Sequence, residues 1–331
     1  MNEAAAVPPV AAFKDRRIGL MVFGILLILL GALVAFAIPF MLLGQLMASR
    51  MPDAPVTPMQ FIWPAILMYL GVATVFIWLG IGSIKCRRWA RALLLVIGWM
   101  WLIMGIVGVI SVGVIMPQVF SHMPAPAGAP PLPPAAITVI TLIMLAFCSV
   151  IYILIPGALV FFYRSPHVKA TCELRDPVSR WTDACPLPVL AISLLLGCGA
   201  AFMPLMILFY HSIVPCFGAY ISGLPGAVVV LVTTLVYAWA ARATYKLQMA
   251  GWWVALLGFA LWVLSAAITM ARIGLLPMYE HMGFPKEQLD LLKQMEFLNS
   301  PLLWILMVAA WVPFLGYIIY TKKYFRPGRA G

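Results

Sequence analysis

The residues best equipped for chemistry lie in a polar passage, His167 to Pro188, HVKATCELRDPVSRWTDACPLP, that separates two strongly apolar halves of a 331-residue chain. An imidazole and two thiols could ligate a metal, and Cys185-Pro186 resembles the dipeptide of haem-regulatory sites. The spacings of His167, Cys172 and Cys185, five and thirteen residues, match none of the compact zinc patterns, which pair ligands as CxxC or HxxxH. A second soft set is His122-Met123 with His281-Met282, whose imidazoles and thioethers suit Cu(I) if the two halves face each other. These four are the metal candidates; no cofactor is predicted. The acidic residues cluster once, at Glu280, Glu287, Asp290 and Glu296. With His281, Glu280 and Glu287 are the residues a surface catalyst would have to use. No Gly-rich phosphate loop, HExxH or GxSxG occurs, so no catalytic residue is assigned and the reading leans away from an enzyme.

The elements that must position these groups are helices in a membrane. Apolar residues make up 64% of the chain and charged residues 9%, with a mean hydropathy of +1.05. Soluble domains are roughly one quarter charged. A helix needs about 20 mostly apolar residues to span the hydrocarbon layer. Eight such runs are present, at 18–48, 61–84, 92–116, 136–163, 188–210, 223–245, 251–273 and 300–320. A barrel strand would alternate apolar and polar residues, whereas GLMVFGILLILLGALVAFAIPFMLL is apolar at both parities. The first run is too long for a signal-peptide core and is read as a retained helix. The fold class is an all-α integral membrane protein with eight transmembrane helices.

Lys and Arg accumulate in cytoplasmic loops. With the amino terminus inside, 17 of the 21 basic residues fall on the cytoplasmic side, which puts both termini there (N-in/C-in). The net charge of +11 is then a topological signal facing anionic lipid, and no nucleic-acid partner is implied. Cys86, Cys172 and Cys185 fall in the reducing compartment, and only Cys216 lies near the outer face, so no disulfide framework is expected.

An internal repeat organises the chain. Pro64, Trp78, Lys85 and Trp101 recur as Pro225, Trp239, Lys246 and Trp262 at one offset of 161. Pro39 aligns with Pro204 at an offset of 165, and Pro156 and Tyr163 with Pro313 and Tyr320 at 157. Two tandem four-helix repeats follow, 18–163 and 188–320, parallel because each has an even number of spans. They are flanked by tails 1–17 and 321–331 and joined by a cytoplasmic connector, 164–187, which is the favoured reading of the polar passage. The prolines predict paired helix bends. Gly98, Gly105 and Gly108 offer a smooth face for close packing. Trp63, Trp89, Tyr163, Trp252, Trp253 and Tyr320 fit interfacial belts. The Ser and Thr of the spans are expected to bond back to their own helices.

Five of the spans contain no Asp, Glu, Lys, Arg or His. A proton relay or buried ion site therefore lacks its parts. The first functional reading is a non-enzymatic binding protein: a scaffold, sensor or accessory membrane subunit. The alternative is a permease for a neutral or lipidic solute. The partners are the lipid bilayer and a membrane or periplasmic protein docked on residues 285–298, read as an amphipathic surface helix. Without an evident extramembrane domain, the chain reads as a bacterial inner-membrane protein.

Overall fold

The computed structural model describes residues 13–50, 59–122, 133–284, 286–294, 305 and 308–325. It is built from helices in the order α1 (Arg17–Ala48), α2 (Met59–Ile84), α3 (Arg88–His122), α4 (Pro134–Ser149), α5 (Ile155–Tyr163), α6 (Pro166–Arg175), α7 (Leu187–Phe209), α8 (Gly223–Tyr245), α9 (Met249–Ile273), α10 (Leu276–His281), α11 (Lys286–Gln294) and α12 (Val312–Thr321). A wide π turn, Val150–Leu154, joins α4 to α5 into one continuous rod, Pro134–Tyr163. Among the described residues, seven helices are long and apolar enough to cross a membrane. They match the first seven expected runs. The eighth, 300–320, lies partly outside the described residues, and α12 covers its second half.

In none of the seven is more than 28% of the most apolar window buried. Side chains such as Leu33, Phe147 and Leu235 are at least 65% exposed, a surface that only a hydrocarbon solvent would cover. With no hydrophobic drive between helices in lipid, association rests on close backbone approach and on hydrogen bonds. The α1/α2 pair is built this way. A Cβ on Gly24 would sit 2.8 Å from the Gly80 carbonyl, one on Gly80 2.7 Å from that of Gly24, and one on Gly31 2.9 Å from that of Ala73. Ser83 on α2 completes the seam, donating to Leu20 O on α1 at 2.8 Å and meeting the Tyr163 hydroxyl at 2.6 Å. The α7/α8 pair packs as a similarly long seam, with Ser193 donating to Ala241 O at 2.8 Å.

The buried side chains form two clusters. One gathers Leu20, Leu79, Leu94, Tyr163, Val168 and Cys172; the other Val189, Ile192, Trp252, Ala255, Ile318 and Phe325. Tyr163 and Trp252 are 0% and 2% exposed, so these two belong to the core and not to an interfacial belt. The reason is chemical: each polar tip finds a partner inside, Tyr163 at Ser83 and Trp252 Nε1 at Ile318 O, 2.8 Å away.

The prolines divide into two groups. Pro39, Pro64 and Pro204 lie inside α1, α2 and α7. Pro156 lies inside the continuous rod, directly after the π turn, so its missing N–H falls within the ladder. Pro313 and Pro225 lie in the first turns of α12 and α8, where no intrahelical N–H is lost, and bends are not required at these two. Of the three glycines expected to form a smooth face on α3, Gly105 lies against the backbone carbonyl of Tyr152 in the π turn and Gly98 against Val160, but a Cβ at Gly108 would meet nothing within 4 Å. Gly108 is therefore not part of the packed face. Thr74, Ser111, Thr138, Thr141, Thr233 and Thr234 each donate to the carbonyl four residues back, as expected.

Thr269 departs from that rule because of an element the sequence reading did not anticipate. Val214–Cys216 and Ala219–Ile221 pair antiparallel as β1 and β2, turning through Phe217 and Gly218 at φ 43° and 108°. Two successive positive φ values are what a tight two-residue hairpin turn demands, and glycine at the second tolerates it. The turn N–H groups of Phe217 and Gly218 donate to Ser265 and Thr269 on α9 at 3.0 and 2.9 Å.

Two turns in the chain have the same geometry. Cys86 after α2 and Leu247 after α8 adopt φ 52° and 57°. At both, the N–H groups reach back to the ends of the preceding helix: Cys86 to Ser83 O and Arg87 to Gly82 O at 2.9 Å, and Leu247 to Thr244 O and Gln248 to Ala243 O at 2.8 and 2.9 Å. This left-handed helix ending satisfies carbonyls that would otherwise be orphaned.

Candidate functional site

The polar passage is not an open linker. Pro at the first turn and the good helix formers Lys169, Ala170, Glu173, Leu174 and Arg175 produce α6, and a single 3₁₀ turn, Trp181–Asp183, follows. Both fold against the ends of the spans. Val168, Thr171 and Cys172 of α6 are buried, while Thr171 Oγ1 accepts the Arg16 N–H at 3.1 Å and donates to His167 O at 2.8 Å. The lead-in to α1 is thereby held on α6, with Lys14 N–H to His167 Nδ1 at 3.4 Å and an Arg175–Asp15 ion pair at 3.4 Å. On the other side, Tyr245 at the end of α8 donates to Trp181 O at 2.8 Å.

Asp176 is the pivot. Its side chain is 2% exposed and accepts from Arg180 at 3.0 Å, Arg87 at 3.3 Å and the Arg88 backbone N–H at 3.4 Å. Arg88 is the first residue of α3, so a carboxylate from a distant segment occupies the place of a helix cap. Burial pushes the Asp176 carboxyl up, but the Arg180 hydrogen bond, the Arg88 N–H and the two guanidinium charges outweigh it and hold the group below the ordinary carboxylate range.

Beside this pivot lies a pocket of about 280 Å³, between the start of α3, α6, the 3₁₀ turn and the start of α7. Arg88, Arg91 and Lys169 supply its cations, Glu173 and Asp183 its carboxylates. Arg88 pairs with Asp183 at 3.3 Å and Glu173 at 3.6 Å, and Lys169 with Glu173 at 3.8 Å. Arg91 donates Nε–H to Tyr163 O at 3.1 Å and has no carboxylate partner among the described residues. Thr182 also lines the pocket; its hydroxyl is buried and has no hydrogen-bond partner among the described residues.

Cys172 and Cys185, the two thiols singled out by sequence, line the same pocket, but His167 does not; it faces the lead-in to α1. The imidazole and the thiols therefore do not form one ligand set. Burial pushes the Cys172 thiol up to about 12 and Cys185 up to about 11. Both are neutral thiols at physiological pH, whereas metal ligation and nucleophilic attack need the thiolate. Among the described residues no three His, Cys, Asp or Glu stand together as a metal cluster, and all six cysteines are free.

Of the second soft set, His122 ends α3, Met123 lies outside the described residues, and His281 bonds back to Pro277 O of its own short helix at 2.7 Å. Glu296 and the remainder of the 285–298 helix beyond Gln294 also lie outside them. Within α11, Leu289 is buried while Asp290 and Lys293 are exposed and form an ion pair at 3.3 Å.

The sequence reading counted Arg88 and Arg91 only as topological charges and passed over Thr182. The sequence carried a signal for the ion pairing of the connector, though none for Arg91 or Thr182: the connector holds Glu173, Asp176 and Asp183, three of the ten acidic residues in the chain, interleaved with its basic ones. Alternating signs in a short segment are what an ion-paired fold needs.

Length, composition and exposure of the helices make this a multi-pass membrane protein. No protein-family model matches the chain, and no curated protein or solved structure is similar to it.

Proposed function

We propose that the chain is a non-enzymatic membrane binding protein, a scaffold, sensor or accessory subunit, in which two tandem parallel four-helix units are clamped at their cytoplasmic end by the connector. One observation carries the reading: the polar connector is folded, ion-paired to the start of α3 and bonded to the end of α8, and it lines a pocket. A segment that merely joined two halves would have no reason to bury Asp176 under two arginines. The recognition surface then lies at the membrane face and not along a path through the bilayer.

The tandem arrangement draws support from features that recur at the offset of 161. The left-handed turns at Cys86 and Leu247 are such a pair. So is the tight approach of Gly82 to Ala90, matched by Ala243 and Gly251, where an added Cβ would fall 2.6 and 2.7 Å from its neighbour. Arg91 and Trp252, again one offset apart, each donate a side-chain N–H to a carbonyl near the end of the fourth helix of their unit. An experimental structure in which helices 1–4 failed to superpose on 5–8 would remove this part of the reading. The gathering of basic residues at the connector end supports termini on the cytoplasmic side of a bacterial inner membrane, and α11 would offer the opposite face to a membrane or periplasmic partner.

Binding and transport are separated by water. Polar, membrane-impermeant thiol reagents reach a cysteine only through an aqueous path, and Cys148 and Cys198 lie in mid-span on α4 and α7. Neither is expected to react from either side of sealed vesicles. Labelling of either would replace this reading with the permease.

A further inference from the structure

We infer that the connector pocket receives one singly charged phosphate group, as carried by the diester of a phospholipid headgroup, and that Arg91 and Thr182 hold it. The inference rests on the reading of the connector as the recognition element and names what it recognises.

Charge comes first. Glu173 and Asp183 are engaged by Arg88 and Lys169, so the pocket's one cation without a carboxylate partner among the described residues is Arg91. Glu173 and Asp183 act on Arg91 only from beyond ion-pair distance, and a partly buried cation so placed is relieved by a monoanion in direct contact. A second negative charge would instead face the two carboxylates. A diester, with one charge, fits better than a monoester, with closer to two.

Thr182 is an independent pointer. It is 2% exposed, its hydroxyl has no partner among the described residues, and it lines the pocket. Buried hydroxyls are nearly always hydrogen-bonded, so an orphan one at a cavity wall marks a place where a ligand atom completes the set. Arg88 opens α3 and Leu187 opens α7, so the starts of two helices border the same space; Asp176 caps the first, and the positive end of the α7 dipole adds to Arg91.

Size and position name the source. About 280 Å³ falls below the ~300–1,000 Å³ typical of sites for drug-sized ligands, which suits a headgroup fragment. Both α3 and α7 are membrane-spanning helices that begin at this pocket, so it lies at the level where headgroups sit. Basic pockets between spans at this level are suited to lipid phosphates.

The test uses the full chain, purified in mild detergent, stripped of lipid and titrated with phosphatidylglycerol in mixed micelles, with bound lipid counted by native mass spectrometry. One lipid should bind per chain. Arg91→Gln and Thr182→Val should each weaken it by about tenfold, the loss of a hydrogen bond to a charged group. Thr182→Val is the sharper variant, because removing an unpartnered hydroxyl leaves the fold as stable as before; it keeps the test decisive should Arg91→Gln fail to fold.

Parallel titrations use inorganic phosphate and glycerophosphoglycerol, the soluble diester. Displacement of lipid by the soluble diester assigns recognition to the phosphate group, and tighter binding of the intact lipid assigns the source to the bilayer. Tighter binding of inorganic phosphate would overturn the headgroup assignment. Equal lipid binding by wild type and Thr182→Val would overturn the pocket. Either failure would leave the mid-span thiols unlabelled, so it is distinguishable from failure of the binding reading itself.

Discussion

Replacing Asp176 tests whether the connector is a structural clamp. Its carboxylate serves two guanidinium groups and one helix N–H. Stripping one partner from a fully buried ion pair costs about 3–5 kcal/mol. The Arg87 and Arg180 side chains are 41% and 37% exposed, however, and will rehydrate when the carboxylate goes. Each bond is therefore worth about 0.5–1 kcal/mol, as for exposed pairs, and the cap on α3 about 1 kcal/mol more. Asp176→Ala should cost ~2–3 kcal/mol and lower the apparent melting temperature in detergent by roughly 5 °C. Asp176→Asn keeps an acceptor for the Arg88 N–H and should lose about half as much. Because the folded carboxyl titrates below its ordinary value, its stabilisation is present above about pH 4 and disappears as pH falls through the depressed folded value. The wild-type and Asp176→Asn curves should thus converge in acid. Unchanged melting of Asp176→Ala at neutral pH, read by loss of the monodisperse peak after heating, would refute the clamp.

Three further outcomes are expected. Gly105→Ala drives a methyl into the Tyr152 carbonyl and should cost about 1–3 kcal/mol of thermal stability, while Gly108→Ala, with open space around it, should be close to neutral; equal effects would contradict the packing of α3 on the π turn. Ser265→Ala removes both the acceptor for Phe217 N–H and the donor to Pro215 O, at a cost of about 1–3 kcal/mol, and should open the 210–222 segment to proteolysis; a cleavage rate equal to wild type would show that the hairpin is held otherwise. Cys172, buried and with its thiol pushed up to about 12, should resist maleimide at about pH 8 until the chain is denatured; native labelling as fast as denatured labelling would place that thiol at the surface.

Much of the architecture was legible because lipid leaves a chain few choices. Backbone groups in hydrocarbon must bond within their own helix, so length and hydropathy locate spans, and α8 begins and ends where its apolar run does. The same constraint explains why Thr74 and Thr233 could be assigned to their own helices from sequence. Where a partner lies across a helix boundary, that reasoning stops. Thr269 serves the hairpin, and Tyr163 and Trp252 turn inward, because in each case a distant residue supplied the bond.

The sequence by itself determined that this chain lives in a membrane, where seven of its long apolar helices run, and which segment between them is polar. These follow from local composition and periodicity. Only the tertiary structure decided how the polar segment folds and what it packs against. Cys172 and Cys185 were visible as candidates at once, yet their chemistry depends on burial, which raised both thiols out of use. Arg91 and Thr182 carried no signal, since a lone arginine and a lone threonine are ordinary at a helix end and in a turn. What sets them apart is that, among the described residues, no carboxylate lies within ion-pair distance of the first and no hydrogen-bond partner meets the second. Such properties belong to the space between segments separated by some 90 residues of sequence, and that space exists only once α3, α6 and α7 have come together.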